Sequence, residues 1–335
     1  MGLHPQNEVI KGVRIVPFRE YHSRTLRLFT SWFLMFFVAL KQKAQLYHIH
    51  DPELLPCAFL LKLWGKKVIV DVHENIAEDI FDKEWIRNKK TTYAIFNRIE
   101  SFVCRNIPVV LAETSYEKRY QRIAIDLTTI HNYVEPDFFK PFISNQRNPL
   151  NIFYMGIILE SRCVHEIMSA MEILHQKDLK VHFYCVGKIY KRIWAYIQDH
   201  EHFQKLQDFI HLPDRQTLEN GYALSKQCGI GICLIRPMKN SVESKPTKLF
   251  EYMACGLPII TSNFLLYKKL VEDTETGITV DPLHPEEIAE AIEILINDTP
   301  TREKFSQNGP QVAQVNFNWE TEKIKLLNLY QRVLN

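Results

Sequence analysis

Residues 243–262 read ESKPTKLFEYMACGLPIITS, and this stretch predicts a helix that runs directly into a buried strand. Pro246 or Thr247 suits the first turn of the helix, because proline there lacks only an N–H group that the helix leaves unpaired. Gly256 is predicted to end the helix, and Pro258 to open the strand. The apolar face of the helix is formed by Leu249, Phe250, Met253 and Ala254.

The N-terminus of this helix is a candidate site for a diphosphate. The unpaired N–H groups of a helix N-terminus attract anions, and Lys245 and Lys248 flank it here. Glu251 lies just over one turn into the helix, where its carboxylate can accept hydrogen bonds from two vicinal hydroxyl groups, as on a ribose. Glu243 lies in the loop before the helix, where it could meet a sugar. Two glutamates eight residues apart also occur by coincidence, so the spacing alone does not establish a site.

Outward from this stretch, short β-branched runs alternate with helical patterns. Buried strands are predicted at 13–17, 46–50, 67–71, 108–112 and 127–131, and again at 151–155, 181–186, 209–212, 229–235 and 258–261. Helices are predicted between them at 25–41, 53–63, 92–105 and 115–124, and later at 164–175, 189–199, 215–225, 247–255, 285–296 and 319–333. This alternation predicts βαβ units and parallel sheets.

A stretch that contains several prolines and asparagines, NYVEPDFFKPFISNQRNPLN (132–151), interrupts the alternation and marks the predicted domain boundary. We therefore expect an α/β chain of two doubly wound, Rossmann-like domains, which suits 335 residues at about 150 per domain. The expected division is 1–145, 146–316 and a terminal helical segment, 317–335. Open parallel sheets bind ligands at the carboxyl ends of their strands, so a ligand is expected in the cleft between the two domains.

The charge balance argues against a nucleic-acid binder, because 41 basic and 39 acidic residues leave a net charge of only +2. The seven cysteines are scattered and form no C-x-x-C pair, which is typical of buried thiols in a reducing cytoplasm. We expect no signal peptide, because the first twelve residues contain no apolar run.

The most apolar run is FTSWFLMFFVAL, residues 29–40, which is flanked by arginines and lysines. It is too short to span a bilayer, since a spanning helix needs roughly 20 residues. The run is interpreted as a buried helix under a sheet, or alternatively as a basic-flanked surface that touches a membrane.

The E-x7-E spacing, followed by a small residue, Gly-Leu-Pro and a β-branched strand, resembles glycosyltransferase family 4, also called group 1. The run PTKLFEYMACGLPII is similar in particular to bacterial cell-surface polysaccharide members. This resemblance implies the GT-B architecture of two Rossmann-like domains facing across a cleft. It also implies that Glu251 holds the ribose of a nucleotide sugar and that Glu243 lies near the donor sugar as a catalytic residue.

Two stretches of the first half fit the same family. YHIHDPELLP (47–56) resembles a strand-to-helix turn of its N-terminal domain and places His50 and Asp51 on the acceptor side. Asp51 and Pro52 are also a good start for any helix, so structure alone could explain both. VIVDVHEN (68–75) is similar to the strand that ends in the family's active-site histidine. That position is His73, and Glu74 beside it is expected on the acceptor side.

Two stretches of the second half fit as well. FYMGIILESRCV (153–164) resembles the first strand and loop of the donor domain, where family members show G-R-x-x-x-x-K-G. Gly156 and Arg162 match, but Ile157 replaces the arginine, so one cationic contact to the diphosphate is missing or comes from Lys245 or Lys248. FNWETEKIKLLNLYQRVL (317–334) resembles the terminal helix that crosses back to the N-terminal domain.

The sequence departs from the family at its start, where VRIVPF matches the second strand of other members. We therefore expect the N-terminal domain to lack its first βα unit, about 40–50 residues judged from the size of such units. A misplaced start codon, a truncated gene or a second chain that supplies the piece would each account for this.

The resemblance implies a retaining transfer of a sugar from a nucleotide diphosphate sugar to a hydroxyl group of a glycan or lipid-linked acceptor. The chain contains no D-x-D, the pair that holds a metal in the other main glycosyltransferase architecture, so no metal or other cofactor is expected. The expected partners are the nucleotide sugar and its acceptor, with no nucleic acid, in the cytoplasm or at the inner face of the membrane. Two alternatives remain: a GT-B sugar-nucleotide epimerase, and a non-catalytic remnant that binds nucleotide sugars or scaffolds an assembly.

Overall fold

The computed structural model of the chain describes residues 8–10, 12–16, 24–73, 80–81 and 86–335, and leaves out the side chains of residues 8, 24–29, 239 and 240. The chain divides into two compact units. The first is Met1–Ile130 together with Ile324–Asn335, and the second is His131–Lys323.

The first unit contains a four-stranded parallel sheet with helices between the strands. Its strands stand in the order β3-β4-β5-β6, which is also their order along the chain. Ile69, Leu111, Leu61 and Ile107 are fully buried in the core. The elements are β1 (Glu8–Ile10), β2 (Val13–Ile15), α1 (Arg24–Gln42), β3 (Leu46–Ile49), α2 (Leu55–Leu63), β4 (Lys67–Val72), α3 (Lys89–Cys104), β5 (Val109–Leu111), α4 (Glu117–Tyr120) and β6 (Leu127–Thr129).

The prediction of a buried strand at 13–17 is wrong for the residues that the structure describes. β2 pairs antiparallel with β1 in a two-stranded sheet and does not enter the parallel sheet. Gly12, with φ of 82°, lies in the turn between them, and Val13 is 65% exposed. The β-branched pattern indicated a strand correctly, but a three-residue ribbon buries little surface, whatever its apolar content.

The second unit is a larger parallel α/β sheet in the order β12-β11-β10-β7-β8-β9. Its elements are α5 (Pro136–Phe139), β7 (Asn148–Met155), α6 (Val164–Gln176), β8 (His182–Val186), α7 (Lys191–Gln198), α8 (Phe203–Leu206), β9 (Ile210–His211), α9 (Leu218–Ser225), β10 (Cys228–Cys233), α10 (Lys239–Glu243), α11 (Thr247–Cys255), β11 (Ile259–Ser262), α12 (Leu265–Val271), β12 (Gly277–Val280), α13 (Pro285–Asn297) and α14 (Thr299–Asn316). The last helix, α15 (Trp319–Leu334), begins in this unit, and its residues from Ile324 onward belong to the first unit. Short 3-10 helices lie at Pro52–Leu54, Thr114–Tyr116, Lys140–Phe142, Glu160–Arg162 and Gln207–Phe209.

These sheets confirm the predicted α/β class with parallel sheets. Six elements of the second unit have no counterpart among the predictions, namely α5, α8, α10, α12, β12 and α14. α14 contains Gly309 and Pro310 and is largely polar, a composition that argues against a helix. Gly309 is nevertheless required there, because a Cβ on it would lie 2.6 Å from the backbone oxygen of Met253 in α11.

The order of the second sheet places a topological switch point beside β7. The chain runs from β7 outward to β8 and β9, and then returns to form β10 on the opposite side of β7. Loops that leave neighbouring strands in opposite directions open a crevice at the carboxyl ends of those strands. The loops after β7 and β10 therefore define where a ligand is expected within this unit.

All seven cysteines are buried free thiols. Within the described ranges, no helix is both long enough and apolar enough to cross a membrane, and that includes α1 with its apolar run.

Candidate functional site

The loop after β7 begins at Gly156, and its backbone has a conformation that favours glycine. Its φ is 145°, and the amide of Gly156 donates a 2.9 Å hydrogen bond to the carbonyl of Val186 at the end of β8. A Cβ at this position would lie 2.6 Å from Cε and 2.8 Å from Nζ of Lys248. The missing side chain of Gly156 therefore leaves the space that the Lys248 side chain occupies.

Lys248 is thus held against the loop by the fold. It lies in the first turn of α11, and its Nζ is 5.5 Å from the centroid of the Tyr154 ring, within the range of a cation–π contact. The Tyr154 hydroxyl in turn donates to the carbonyl of Ile157 at 3.1 Å. Lys248 consequently places a positive charge next to Ile157, the position where other family members were expected to carry arginine.

Arg162 ends the 3-10 helix that precedes α6. Its Nε is buried and has no hydrogen-bond partner among the described residues. A second arginine approaches the same loop, since the amide of Arg236, which follows β10, donates to the carbonyl of Ser161 at 2.9 Å. The Arg236 guanidinium forms a 2.5 Å ion pair with Glu166, so a neighbouring carboxylate compensates its charge.

The Glu251 carboxylate is held in place by a neighbouring tyrosine. It lies in α11 one turn after Lys248, and the hydroxyl of the fully buried Tyr222 donates a 2.5 Å hydrogen bond to its Oε2. Burial raises the pKa of the Glu251 carboxyl above its ordinary value, while the Tyr222 hydrogen bond and the charge of Lys248 oppose that rise. The carboxylate is therefore fixed in one orientation.

α11 has the ends that the sequence predicts. It begins at Thr247, directly after Pro246, and its last residue is Cys255. Gly256 caps this end with a left-handed φ of 66°. The observed place of Glu243 differs from the predicted loop, because Glu243 is the last residue of the short helix α10 and its side chain is exposed. Lys245 is half-buried in the turn between α10 and α11. The structure thus brings Lys248, Gly156 and Glu251 into one region, whereas the Glu243 side chain forms no hydrogen bond or ion pair with the residues that the structure describes.

The first unit brings together a different set of residues, at the carboxyl ends of β3 and β4. Ile49 pairs with Val70 in register, so His50 and Asp71 follow side by side. Nδ1 of His50 lies 3.0 Å and Nε2 of His73 lies 3.1 Å from the same oxygen of Asp71, Oδ2, and these two ring nitrogens are 3.1 Å apart. All three residues line a cavity of about 340 Å³.

His48 joins this group, which we call the histidine cluster (His48, His50, Asp71 and His73). Its Nε2 lies 3.4 Å from Asp71 Oδ2, and its Nδ1 is 2.7 Å from the hydroxyl of Tyr330. Burial raises the pKa of the Asp71 carboxyl, but its polar contacts with the three histidine rings outweigh that rise and hold the pKa far below the ordinary range. Asp71 is therefore an ionised carboxylate over the whole physiological pH range.

Other predicted acceptor-side residues have less definite places. Asp51 precedes the 3-10 helix Pro52–Leu54 in an extended conformation, but its side chain forms no capping hydrogen bond. It is exposed and lines the same cavity as His50 and His73. Glu74 lies outside the residues that the structure describes.

Four of the residues that build these sites were missed from the sequence, and for two of them a signal existed. The spacings H-x-H at the end of β3 and D-x-H at the end of β4 put alternate residues on one face of the sheet, which would have added His48 and Asp71. Tyr222 and Tyr330 gave no such signal, because a single tyrosine in an amphipathic helix is indistinguishable from a core residue.

Solved structures with the same fold cover nearly the whole chain. Sucrose-phosphate synthase from Thermosynechococcus elongatus matches with a TM-score of 0.72 at 17% identity, over 93% of this chain and 80% of that one. The Anabaena protein HepE, solved in complex with UDP, matches with a TM-score of 0.70 at 15% identity, over 92% of this chain and 84% of that one. These likenesses establish the GT-B glycosyltransferase fold.

The family model described as glycosyl transferases group 1 matches residues 137–312, which is more than half of the chain. The chain therefore belongs to the group 1 glycosyl transferases.

Individual relatives match over about half of the chain. An uncharacterized glycosyltransferase of Methanocaldococcus jannaschii is 25% identical over 194 residues, 56% of this chain and 47% of that protein. The capsular polysaccharide biosynthesis glycosyltransferase CapM of Staphylococcus aureus is 26% identical over 188 residues, 55% of this chain and 46% of that protein. In these matches the chain spans about half the length of its relatives.

Proposed function

We propose that this chain transfers a sugar from a nucleotide diphosphate sugar to a hydroxyl group of a glycan or lipid-linked acceptor, with retention of anomeric configuration. Family membership supports glycosyl transfer in general, and the relative CapM supports a role in cell-surface polysaccharide or lipopolysaccharide synthesis. The observation that carries the proposal is the placement of Lys248 against Gly156 at the crevice of the second sheet, one helical turn from the fixed carboxylate of Glu251.

In this proposal the second unit holds the donor. The N–H groups at the start of α11, Lys248 and Arg162 neutralise the diphosphate, and no metal is needed, because fixed dipoles and cations stabilise the charge that develops on the leaving group. Glu251 accepts hydrogen bonds from the ribose hydroxyls, and Glu243 meets the donor sugar. Lys248 supplies the cationic contact that Ile157 does not.

The transfer itself forms one bond and breaks another at the anomeric carbon. The acceptor oxygen attacks from the face that the diphosphate leaves, so the new glycosidic bond replaces the bond to the diphosphate oxygen with retention. The acceptor proton passes to the departing diphosphate, and the nucleoside diphosphate is released. The protein positions the reactants and stabilises charge, with His73 on the sugar or acceptor side.

Screening nucleotide sugars by thermal shift tests the donor assignment, because a ligand at about 100 times its dissociation constant adds roughly 2.7 kcal/mol of stability. The stabilising donor is then incubated with hydroxyl acceptors, and the anomeric configuration of the product is read by NMR. Release of a changed nucleotide sugar without acceptor would indicate an epimerase instead. Binding without any turnover would indicate a non-catalytic remnant.

We further propose that the first unit contacts a membrane surface at the cytoplasmic face. Phe33 and Phe37 of α1 are 49% and 46% exposed, and Trp64 after α2 is 66% exposed. Phe33 contacts Phe37 at 5.0 Å between ring centroids, and Phe36 contacts Phe37 at 5.3 Å and Trp64 at 5.8 Å, so the rings form one patch. Two exposed lysines lie near these aromatic residues in sequence, Lys41 after Phe37 and Lys62 before Trp64. Their positive charges suit the anionic headgroups of a membrane surface.

A further inference from the structure

His50 and His73 face each other edge to edge. Nδ1 of His50 and Nε2 of His73 are 3.1 Å apart, the ring centroids are 5.4 Å apart, and the ring planes differ by only 27°. The centroid separation exceeds the N···N distance by about two ring radii. Both nitrogens therefore lie on the line that joins the ring centres, and they point at each other. One nitrogen must then donate and the other accept, since a neutral imidazole carries one of each.

Asp71 flanks this contact from the side. Its Oδ2 is 3.0 Å from the His50 nitrogen and 3.1 Å from the His73 nitrogen, and the Asp71 side chain is only 9% exposed. The N–H between the two rings points at the other ring nitrogen and not at Asp71 Oδ2, so the carboxylate acts on the pair through its negative charge, which attracts the positive N–H in either orientation. Asp71 therefore stabilises the pair whichever histidine carries the proton.

One face of the His50 ring is also supported. His48 stacks on it with centroids 4.4 Å apart and ring planes 25° apart, and His48 is itself held by the 2.7 Å hydrogen bond to Tyr330. The His50 ring is therefore held by stacking on one face and by two polar contacts at one nitrogen, although more than half of its side chain is exposed.

The same cluster contains a group, His48, His50 and Asp71, whose ligand atoms all lie within 4.8 Å of one another, as a metal site requires. The ring orientations favour a hydrogen-bonded cluster instead. Lone pairs of a nitrogen lie in its ring plane, and two rings stacked nearly parallel do not direct them at one ion. Nδ1 of His50 points at Nε2 of His73, so it does not point at an ion shared with His48 and Asp71, as one of the ligands about 109° apart around a tetrahedral ion would.

We propose that His50 is a positioning residue for His73, which it orients through a shared N–H···N hydrogen bond that Asp71 supports. This inference rests on the proposed function in one respect, namely that His73 takes part in sugar transfer. The bond holds the His73 ring in one rotamer and couples its tautomer to that of His50, so that the ring is fixed before substrate binds.

Two substitutions separate this role from general support of the fold. His50→Phe keeps a ring that stacks on His48 but removes the hydrogen bond. His50→Asn places an amide at the position of Nδ1, because both are bonded to Cγ, and so restores a polar partner for His73. A matched control exists in the second unit, where Nδ1 of His182 lies 3.0 Å from Nε2 of His211 in rings 16° apart.

The experiment uses the full chain labelled with ¹⁵N-histidine and measures the ¹⁵N–¹⁵N coupling across each N–H···N hydrogen bond. We expect one coupling from His50 and His73 and one from His182 and His211. The first disappears in His50→Phe, whereas the second persists there and shows that the method detects such a bond in this protein. Absence of the first coupling in the wild-type protein, with the second present, would overturn the proposal.

Kinetics supply the second readout. We expect His50→Phe to lower kcat about 10–100-fold, the cost typical of losing a residue that orients a functional side chain, with the donor KM changed less than about 3-fold. His50→Asn should return most of that loss, and His182→Phe should leave kcat unchanged. Equal kcat values for wild type, His50→Phe and His50→Asn, or equal losses in both variants, would contradict the positioning role. Failure of the wild-type protein to transfer any sugar would instead contradict the proposed function, while the NMR result would still decide the geometry.

Discussion

The hydroxyl of Tyr222 donates a 2.5 Å hydrogen bond to the carboxylate of Glu251, joining α9 to α11. Tyr222 is fully buried, and burial raises the pKa of its hydroxyl well above the ordinary value, so it stays a donor at every physiological pH. The carboxylate that we assign to the ribose is therefore oriented before any ligand arrives, which lowers the ordering cost of binding.

The first prediction concerns this carboxylate. Glu251→Ala should abolish measurable binding of the nucleotide sugar by calorimetry, because the two ribose hydroxyls lose their shared acceptor. Tyr222→Phe should weaken binding by a smaller factor, about 3–15-fold for one hydrogen bond. Glu290→Ala, at an exposed position of α13, is the control and should bind as wild type does. Unchanged affinity in Glu251→Ala would refute the ribose assignment.

The second prediction follows from the raised pKa of Glu251, which burial causes. A group whose pKa is raised by folding contributes stability below its unfolded pKa, and that contribution is lost as pH rises through the folded pKa. Glutamine mimics the protonated form at all pH values. Glu251→Gln should therefore match wild type near pH 4 and become the more stable protein as pH rises toward 8, as measured by urea unfolding. A stability difference that shrinks as pH rises would contradict the assignment.

The third prediction tests the loop after β7. Gly156→Ala should displace Lys248, whose Cε would lie 2.6 Å from the new Cβ, and so weaken binding of a nucleoside diphosphate. Gly65→Ala is the matched control, since Gly65 also has positive φ, at 72°, but a Cβ there meets nothing within 4 Å. Both variants should lose about 1 kcal/mol or more of stability from the backbone alone. Only Gly156→Ala should lose affinity, and equal affinities in the two variants would argue against a phosphate role for Lys248.

The fourth prediction concerns metal ions. Transfer should persist in excess EDTA, because cations of the protein and the start of α11 neutralise the leaving diphosphate. The assay compares initial rates with EDTA alone and with EDTA plus an excess of Mg²⁺ as the control. Complete loss of activity that Mg²⁺ restores would show that the diphosphate needs a metal.

The fifth prediction concerns the aromatic patch. Replacing Phe33, Phe37 and Trp64 together by serine should reduce sedimentation with vesicles that contain anionic phospholipid. The three apolar side chains that would insert between the lipid headgroups are then lost. Leu265→Ser, which removes an apolar side chain that is 71% exposed in the second unit, is the control. Equal sedimentation of the triple variant and wild type would exclude the patch as the membrane contact.

The predicted α/β class and most of its elements are confirmed, for a local reason. The periodicity of apolar residues differs between a strand and a helix, so β10 and α11 could be read directly from residues 228–255. α14 could not, because Gly309 and Pro310 oppose a helix locally and only packing against Met253 explains the glycine. β2 was assigned to the wrong sheet, because a strand's pairing partner is not encoded in its own residues.

The candidate sites divide in the same way. The sequence by itself determined α11 with both of its ends, the two glutamates eight residues apart and the histidine at the end of β4, since each depends on neighbours along the chain. Only the tertiary structure decided that Lys248 fills the space left by Gly156, that Tyr222 orients Glu251, and that His48, His50 and His73 share one oxygen of Asp71. Most of these contacts join residues distant in sequence. The histidine cluster forms because the parallel strands β3 and β4 bring their carboxyl ends to one edge of a sheet, whereas the Tyr222–Glu251 hydrogen bond joins the helices α9 and α11.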